Sequence, residues 1–274
     1  MQQSDGYRRR ERGSVDAVEN DAPKSELAPS SSAPPPRPHA AARIVVASET
    51  AESWANGLAD PGKQWKTGYS AKTLAACWQA SDDFPVSVRA VFKASPHPLF
   101  HDIEMLLGVP EWKVPLPGGS RASQTDLFVL ARAPSGLVAI TVEGKVDEPF
   151  DALVADWLVA GAEKETVGKR RRLDYLCSEL GIESDAAVTL RYQLLHRTVS
   201  ALIEARRFTA PHALMLVHSF SPTALWLDDY IAFAEALGVA DAAKDTISVV
   251  GNRGGVELYL GWCSGEQRWR DETP

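Results

Sequence analysis

Residues 126–145 read DLFVLARAPSGLVAITVEGK, and this stretch decides the fold. It contains two runs rich in apolar and β-branched residues, 126–131 and 137–145, joined by a segment with the proline, serine and glycine typical of a hairpin turn. Both runs carry apolar residues at successive positions, so that each face of the strand is apolar. This pattern is typical of a central sheet covered by helices on both sides. The stretch therefore predicts a hairpin in the middle of an α/β sheet.

The register of this hairpin brings ionisable side chains together. With the turn centred between Pro134 and Ser135, the register places Asp126 opposite Glu143. Directly opposed β-carbons lie about 4.5–5.5 Å apart, where two carboxylates repel each other unless something positive lies between them. Lys145 projects from the same face as Glu143, because side chains alternate along a strand. We therefore expect two carboxylates and an ammonium group at one end of the hairpin.

Such a cluster suits metal-assisted chemistry at a phosphate group. Mg²⁺ prefers oxygen ligands and commonly takes one or two protein carboxylates, which leaves room for water and a substrate phosphate. Asp126 and Glu143 are the predicted ligands for Mg²⁺, or for Mn²⁺ in its place. Lys145 is predicted to orient the attacking water or to stabilise the phosphoryl oxygens. These residues predict hydrolysis of phosphodiester bonds.

The chain around the hairpin alternates between helical and strand patterns. A helix is predicted over 98–107, with Glu104 beside its apolar stripe and with Gly108 and Pro110 at its end. The later patterns predict helices over 169–180, 192–205 and 225–237, a buried strand over 213–217 and a terminal hairpin over 247–262. The predicted fold class is α/β, with a central mixed sheet, flanking helices and a C-terminal β-hairpin.

The order Asp126, hairpin, Glu143-Gly144-Lys145 resembles the Asp…Glu-x-Lys signature of the PD-(D/E)XK nuclease superfamily, which has the restriction-endonuclease-like fold. The residues around Asp126 and around Glu143 are, more narrowly, similar to an uncharacterised bacterial family placed in that superfamily. One position departs from the named motif, since Thr125 replaces the proline before Asp126. The resemblance covers about the middle half of the chain.

The resemblance implies an Mg²⁺-dependent nuclease that cuts nucleic acid, and we expect DNA. A helix ahead of the strands often supplies another glutamate in this superfamily, which implies Glu104 as an additional metal ligand or water-holding group. A later helix can present a glutamine or a basic residue to the site, and Gln193 is the candidate here. Gln193 and Arg197 are four residues apart, which places them on one face of that helix. The resemblance also allows a homodimer, although no dimer face is identified in the sequence.

Contacts to nucleic acid are predicted from basic residues, because a phosphate backbone binds lysine and arginine. The candidates are Lys169, Arg170, Arg171, Arg172 and Arg197. A solvated helix start is the alternative interpretation of the run 169–172. The formal net charge of −7 means that a local basic surface or a metal ion, rather than the overall charge, would have to attract nucleic acid.

The ends and the composition of the chain set its organisation. Residues 1–42 are rich in serine, proline and alanine without apolar periodicity, which predicts a disordered tail before a single domain over 43–274. The three cysteines lack the close spacing of a zinc site. No run of about 18–20 apolar residues and no signal peptide is readable, so we predict a cytoplasmic protein that does not bind membranes.

Two other functions remain open on the sequence alone. The same fold without turnover would be a catalytically inactive module that binds nucleic acid or protein through its basic residues. A phosphohydrolase that acts on small molecules would use the same cluster.

Overall fold

A six-stranded mixed sheet forms the centre of the protein in a computed structural model. The structure describes residues 43–44, 50–161 and 163–271, without the side chains of 163 and 164. The strands are β1 (Glu104–Val114), β2 (Ser123–Ala133), β3 (Gly136–Lys145), β4 (His212–Ser219), β5 (Ile247–Arg253) and β6 (Val256–Ser264). Their order across the sheet is β1-β2-β3-β4-β6-β5. The predicted tail over 1–42 lies outside the described residues.

Antiparallel pairs form the two edges of the sheet, and parallel pairs form its middle. β1, β2 and β3 are antiparallel neighbours, β4 is parallel to both β3 and β6, and β5 and β6 form an antiparallel hairpin. Because a parallel neighbour needs a long crossover connection, the chain between β3 and β4 runs through three helices. The predicted mixed sheet and the predicted C-terminal hairpin are both present.

Helices cover both faces of the sheet. They are α1 (Pro61–Gln64), α2 (Ser70–Gln79), α3 (Val86–Ala94), α4 (Val154–Val159), α5 (Glu163–Leu180), α6 (Tyr192–Arg207), α7 (Leu227–Ala236) and α8 (Arg268–Asp271), with 3₁₀ turns at Ala51–Gly57 and Pro98–Phe100. Alternate residues of β2 belong to different cores: Phe128 packs with buried residues of α5, α6 and α7, whereas Leu127 packs with those of α2 and α3. The apolar faces predicted on both sides of the hairpin are therefore buried under two helical layers.

The central hairpin has the register that the sequence predicts. Phe128 pairs with Thr141 and Leu130 with Ala139, around a turn at 134–135. The last pair at the other end is Leu127 with Val142, so the next position of each strand holds Asp126 and Glu143. The prediction of the hairpin register is confirmed.

The prediction of a helix over 98–107 is wrong. Pro98–Phe100 forms a single 3₁₀ turn, and β1 begins at Glu104. From Glu104 onward the chain pairs with β2, and sheet pairing of this kind overrides a weak helical pattern. Gly108, predicted to end the helix, instead lies under Ile44, where an added β-carbon would come within 2.6 Å of the isoleucine Cδ1 atom.

None of the described helices has the length and apolar content needed to cross a membrane.

Candidate active site

An open cleft of about 560 Å³ lies where β2 begins and β3 ends. Its lining includes Asp126, Glu143 and Lys145 from the central hairpin, and Gln193 and Arg197 from the first turns of α6. Several residues between 58 and 71 also line the cleft. The three residues predicted as the catalytic cluster are therefore together, and they face a space that a ligand could enter.

Lys145 connects the hairpin to α6. Its Nζ atom donates hydrogen bonds to Glu143 Oε1 at 2.8 Å and to Gln193 Oε1 at 3.0 Å. The contact with Glu143 follows from the alternation of side chains along β3, as the sequence predicts. The contact with Gln193 places the glutamine implied by the resemblance beside the same ammonium group.

Arg197 lies inside the cluster. Its Nε atom donates to Glu143 Oε2 at 2.5 Å, and its Nη2 atom lies 3.9 Å from Asp126 Oδ1. The side chain is only 9% exposed. The prediction that Gln193 and Arg197 share one face of the helix is confirmed, since Arg197 contacts Glu143 and Gln193 contacts Lys145. A contact of Arg197 with nucleic acid stays a prediction.

The two central carboxyl groups have opposite pKa shifts. Burial, reinforced by the charge of Glu143, raises the pKa of Asp126 well above its usual range. Burial would also raise the pKa of Glu143, but the adjacent Arg197 and Lys145 outweigh it and lower that pKa. Asp126 Oδ2 accepts a hydrogen bond from the Gly144 backbone N–H at 2.8 Å. The cluster thus holds one carboxylate with two short ion pairs, Glu143, and one with a longer ion pair of 3.9 Å to Arg197, Asp126.

Glu104 does not belong to the cluster, contrary to its predicted role as a metal ligand. It pairs in register with Arg132, near the turn of the central hairpin and at the opposite end of β2 from Asp126. Its Oε1 atom accepts a hydrogen bond from Arg43 Nη2 at 2.8 Å. The correction follows from the secondary structure, because the strand that replaces the predicted helix carries Glu104 away from the site.

Glu111, also on β1, was missed and lines the cleft beside Asp126 and Glu143. Its backbone has a φ of +52°, which is uncommon outside glycine, and its Oε2 atom accepts a hydrogen bond from Gln124 Nε2 at 2.7 Å. Burial raises the pKa of Glu111 to about 7, against the lowering effect of Gln124 and Arg197. Had the sequence been interpreted as a strand over 104–114 paired with β2, the register would have placed Glu111 beside Asp126.

A family model described as "Domain of unknown function (DUF6946)" matches residues 47–267. The chain belongs to this family. No curated protein and no solved structure matches the chain. The match includes all six strands, so the whole cluster lies within the DUF6946 domain.

The basic run of α5 is divided between the surface and the interior of the DUF6946 domain. Arg170 and Arg171 are exposed. Arg172 is buried and donates to the backbone carbonyls of 116, 117 and 119, and Lys169 Nζ donates to the Trp157 carbonyl at 2.7 Å. Arg172 therefore anchors the β1–β2 connection, and the exposed part of the predicted nucleic-acid surface is smaller than the sequence indicates.

His196, on α6, is buried. Its Nδ1 atom lies 2.8 Å from Ser123 Oγ, and Arg197 Nη1 donates to the same hydroxyl at 3.2 Å. Burial and the charge of Arg197 hold the pKa of His196 well below its usual range. A neutral histidine at this place supports the orientation of Arg197 through Ser123.

The donor set of the cleft suits a hard divalent cation. Asp126, Glu143 and Glu111 offer carboxylate oxygens, and one or two such ligands are enough for Mg²⁺. Among the described residues, no three His, Cys, Asp or Glu side chains stand in an arrangement that could hold a metal ion directly. In the cluster itself, both oxygens of Glu143 accept from Lys145 and Arg197, so a metal ion at Glu143 would lie directly beside two positive charges.

Proposed function

We propose that this protein hydrolyses phosphodiester bonds of nucleic acid, with DNA as the expected substrate, in a reaction that needs Mg²⁺ or Mn²⁺. The observation that carries the proposal is the contact of the Lys145 ammonium with Glu143 and Gln193, beside Asp126 in an open cleft. A lysine held between a carboxylate and an amide, at the edge of a site open to solvent, is placed to act on a bound ligand rather than to stabilise the core.

The arrangement of secondary structure supports a restriction-endonuclease-like core. The Asp and the Glu-x-Lys residues lie on adjacent antiparallel strands, β2 and β3. A helical crossover that includes α6 then leads to the parallel strand β4. After the hairpin, helices and then a buried strand follow in the predicted order. Ahead of it, a strand replaces the predicted helix that was to carry Glu104.

Asp126 and Glu143 would hold the cation, and Glu111 takes the place proposed for Glu104 as an additional ligand or water-holding group. When bound, the cation supplies Lewis acidity towards a phosphoryl oxygen and lowers the pKa of a coordinated water. Lys145, fixed by Glu143 and Gln193, orients that water and stabilises charge that develops on the phosphoryl oxygens. The chain's own contribution is thus the positioning of ligands and of one ammonium group.

The exposed Arg170 and Arg171 are the proposed contacts to the phosphate backbone. They supply the local basic surface that a protein of net charge −7 needs in order to bind nucleic acid. Assembly into a homodimer, and location in the cytoplasm, stay predictions.

One observation favours a second candidate, a nuclease-like module without turnover. Glu143 has both oxygens occupied by cationic side chains of the protein, an arrangement that would persist if no metal ion binds. In that case the charged cleft and the exposed arginines would serve binding alone.

A cleavage assay separates the two candidates. Single- and double-stranded DNA and RNA are incubated with the protein and Mn²⁺, with EDTA as the control and a generic phosphodiester as a small-molecule substrate. We expect cleavage of nucleic acid that EDTA abolishes and that added Mn²⁺ or Mg²⁺ restores. Binding of nucleic acid without cleavage under all these conditions would support the inactive module and overturn the proposal.

A further inference from the structure

We infer that Arg197 is a resident counter-cation that a divalent metal ion has to displace from Glu143, so that this arginine limits the affinity of the site for metal. The inference rests on the proposed function, because it assigns Asp126 and Glu143 as the metal ligands. It adds a residue whose loss should tighten metal binding.

The contacts of Arg197 place its charge against both proposed ligands. Its guanidinium group donates to Glu143 Oε2 at 2.5 Å and approaches Asp126 Oδ1 at 3.9 Å. The other oxygen of Glu143 is held by Lys145 at 2.8 Å. A metal ion that binds Glu143 must therefore take a lone pair beside one of these two cations, whose positive charge repels it. Of the two, Arg197 also lies 3.9 Å from Asp126.

The surroundings of Arg197 differ from those of an arginine that only stabilises the fold. The buried Arg172 donates to three backbone carbonyls of the β1–β2 connection. Arg197 instead binds a carboxylate at the wall of an open cleft, and its guanidinium group also donates to the Ser123 hydroxyl at 3.2 Å. Because its partners are side chains at the cleft rather than backbone carbonyls, Arg197 is the cation that we expect a metal ion to displace.

Two roles of Arg197 predict opposite effects of its removal. If it competes with metal, a neutral replacement frees one oxygen of Glu143 and removes a positive charge beside the ligands, and both changes favour a dication. If it only orients Glu143, its removal should weaken metal binding, because residues that support metal ligands typically contribute about 10–100-fold in affinity. The direction of the change therefore distinguishes the roles.

The test is calorimetric titration of the purified protein and of Arg197→Gln with Mn²⁺. We expect Arg197→Gln to bind Mn²⁺ about tenfold more tightly than the wild type. Arg206→Gln is the matched control, since Arg206 lies on the same helix but pairs with Glu179 at the protein surface. The affinity of this variant for Mn²⁺ should equal that of the wild type. Equal or weaker binding by Arg197→Gln would overturn the inference and leave the proposed function standing.

The remaining outcomes of the titration also decide whether Arg197 competes with the metal ion. Binding by Arg197→Gln alone would support competition strongly, whereas silence of both proteins would remove the proposed metal chemistry together with this inference. If Arg197→Gln fails to fold, the wild type suffices: the Nε–H nuclear magnetic resonance signal of Arg197, assigned with Arg197→Lys, should shift when Mg²⁺ is added. A signal that stays unchanged at saturating Mg²⁺ would contradict displacement.

Discussion

Lys145→Ala should lower the rate of metal-dependent cleavage by about 10²–10³-fold, the range found when one preorganised group that stabilises developing charge is removed. The substitution deletes the ammonium that contacts Glu143 and Gln193 in the cleft. Glu143 keeps its second partner, Arg197, so the carboxylate stays paired and the fold should persist. The rate is measured with Mn²⁺ on the best substrate of the cleavage assay.

Lys93→Ala is the matched control for this substitution. Lys93 is exposed at the end of α3, away from the residues that line the cleft, so its loss should leave the rate unchanged. Thermal unfolding of both variants shows whether either one has lost its structure. A rate for folded Lys145→Ala within about threefold of the wild type would be incompatible with the role assigned to this lysine.

Glu143→Gln should lower the free energy of unfolding by about 3–5 kcal/mol at pH 7 in the absence of divalent ions, the cost of leaving buried charges without their partner. Glu143 is 2% exposed, and its two oxygens serve Lys145 and Arg197, which are themselves 4% and 9% exposed. A neutral amide cannot compensate both cations. Urea denaturation of the wild type and the variant measures the difference.

The stability difference should depend on pH in a defined direction. The lowered pKa of Glu143 in the folded protein means that its contribution is present above the pKa it has in the unfolded chain, and is lost as the pH falls through the folded value. Wild type and Glu143→Gln should therefore converge on acidification. Glu204→Gln is the control, because burial raises the pKa of Glu204 and a neutral replacement should then cost little. A constant difference between Glu143→Gln and wild type down to acidic pH would show that the loss is not electrostatic.

The central hairpin could be predicted from the sequence because its determinants are local. The turn residues fix the register, and the period of two along a strand then fixes which side chains share a face. Asp126, Glu143 and Lys145 were brought together by this reasoning alone. The placement of Gln193 beside them came from the resemblance and from helical spacing.

Glu111, the third acidic residue of the cleft, could not be predicted, because its position depends on the long-range pairing of β1 with β2. The stretch before 108 carries apolar residues that fit both a helix and a strand, and only the partner strand β2 decides between them. The helical interpretation led to Glu104, whereas the strand turns Glu111 into the cleft. The ion pair of Arg197 with Glu143 likewise depends on how α6 packs on β3, which spacing within α6 does not determine.

The location of a bound metal ion tests the central claim most directly. Crystals of the protein soaked in Mn²⁺ are examined by anomalous diffraction at the manganese absorption edge. We predict a peak within about 2.5 Å of carboxylate oxygens of both Asp126 and Glu143, with Arg197 no longer bonded to Glu143. A manganese site elsewhere, or a cluster that keeps the Arg197 and Lys145 contacts to Glu143 at saturating Mn²⁺, would contradict it.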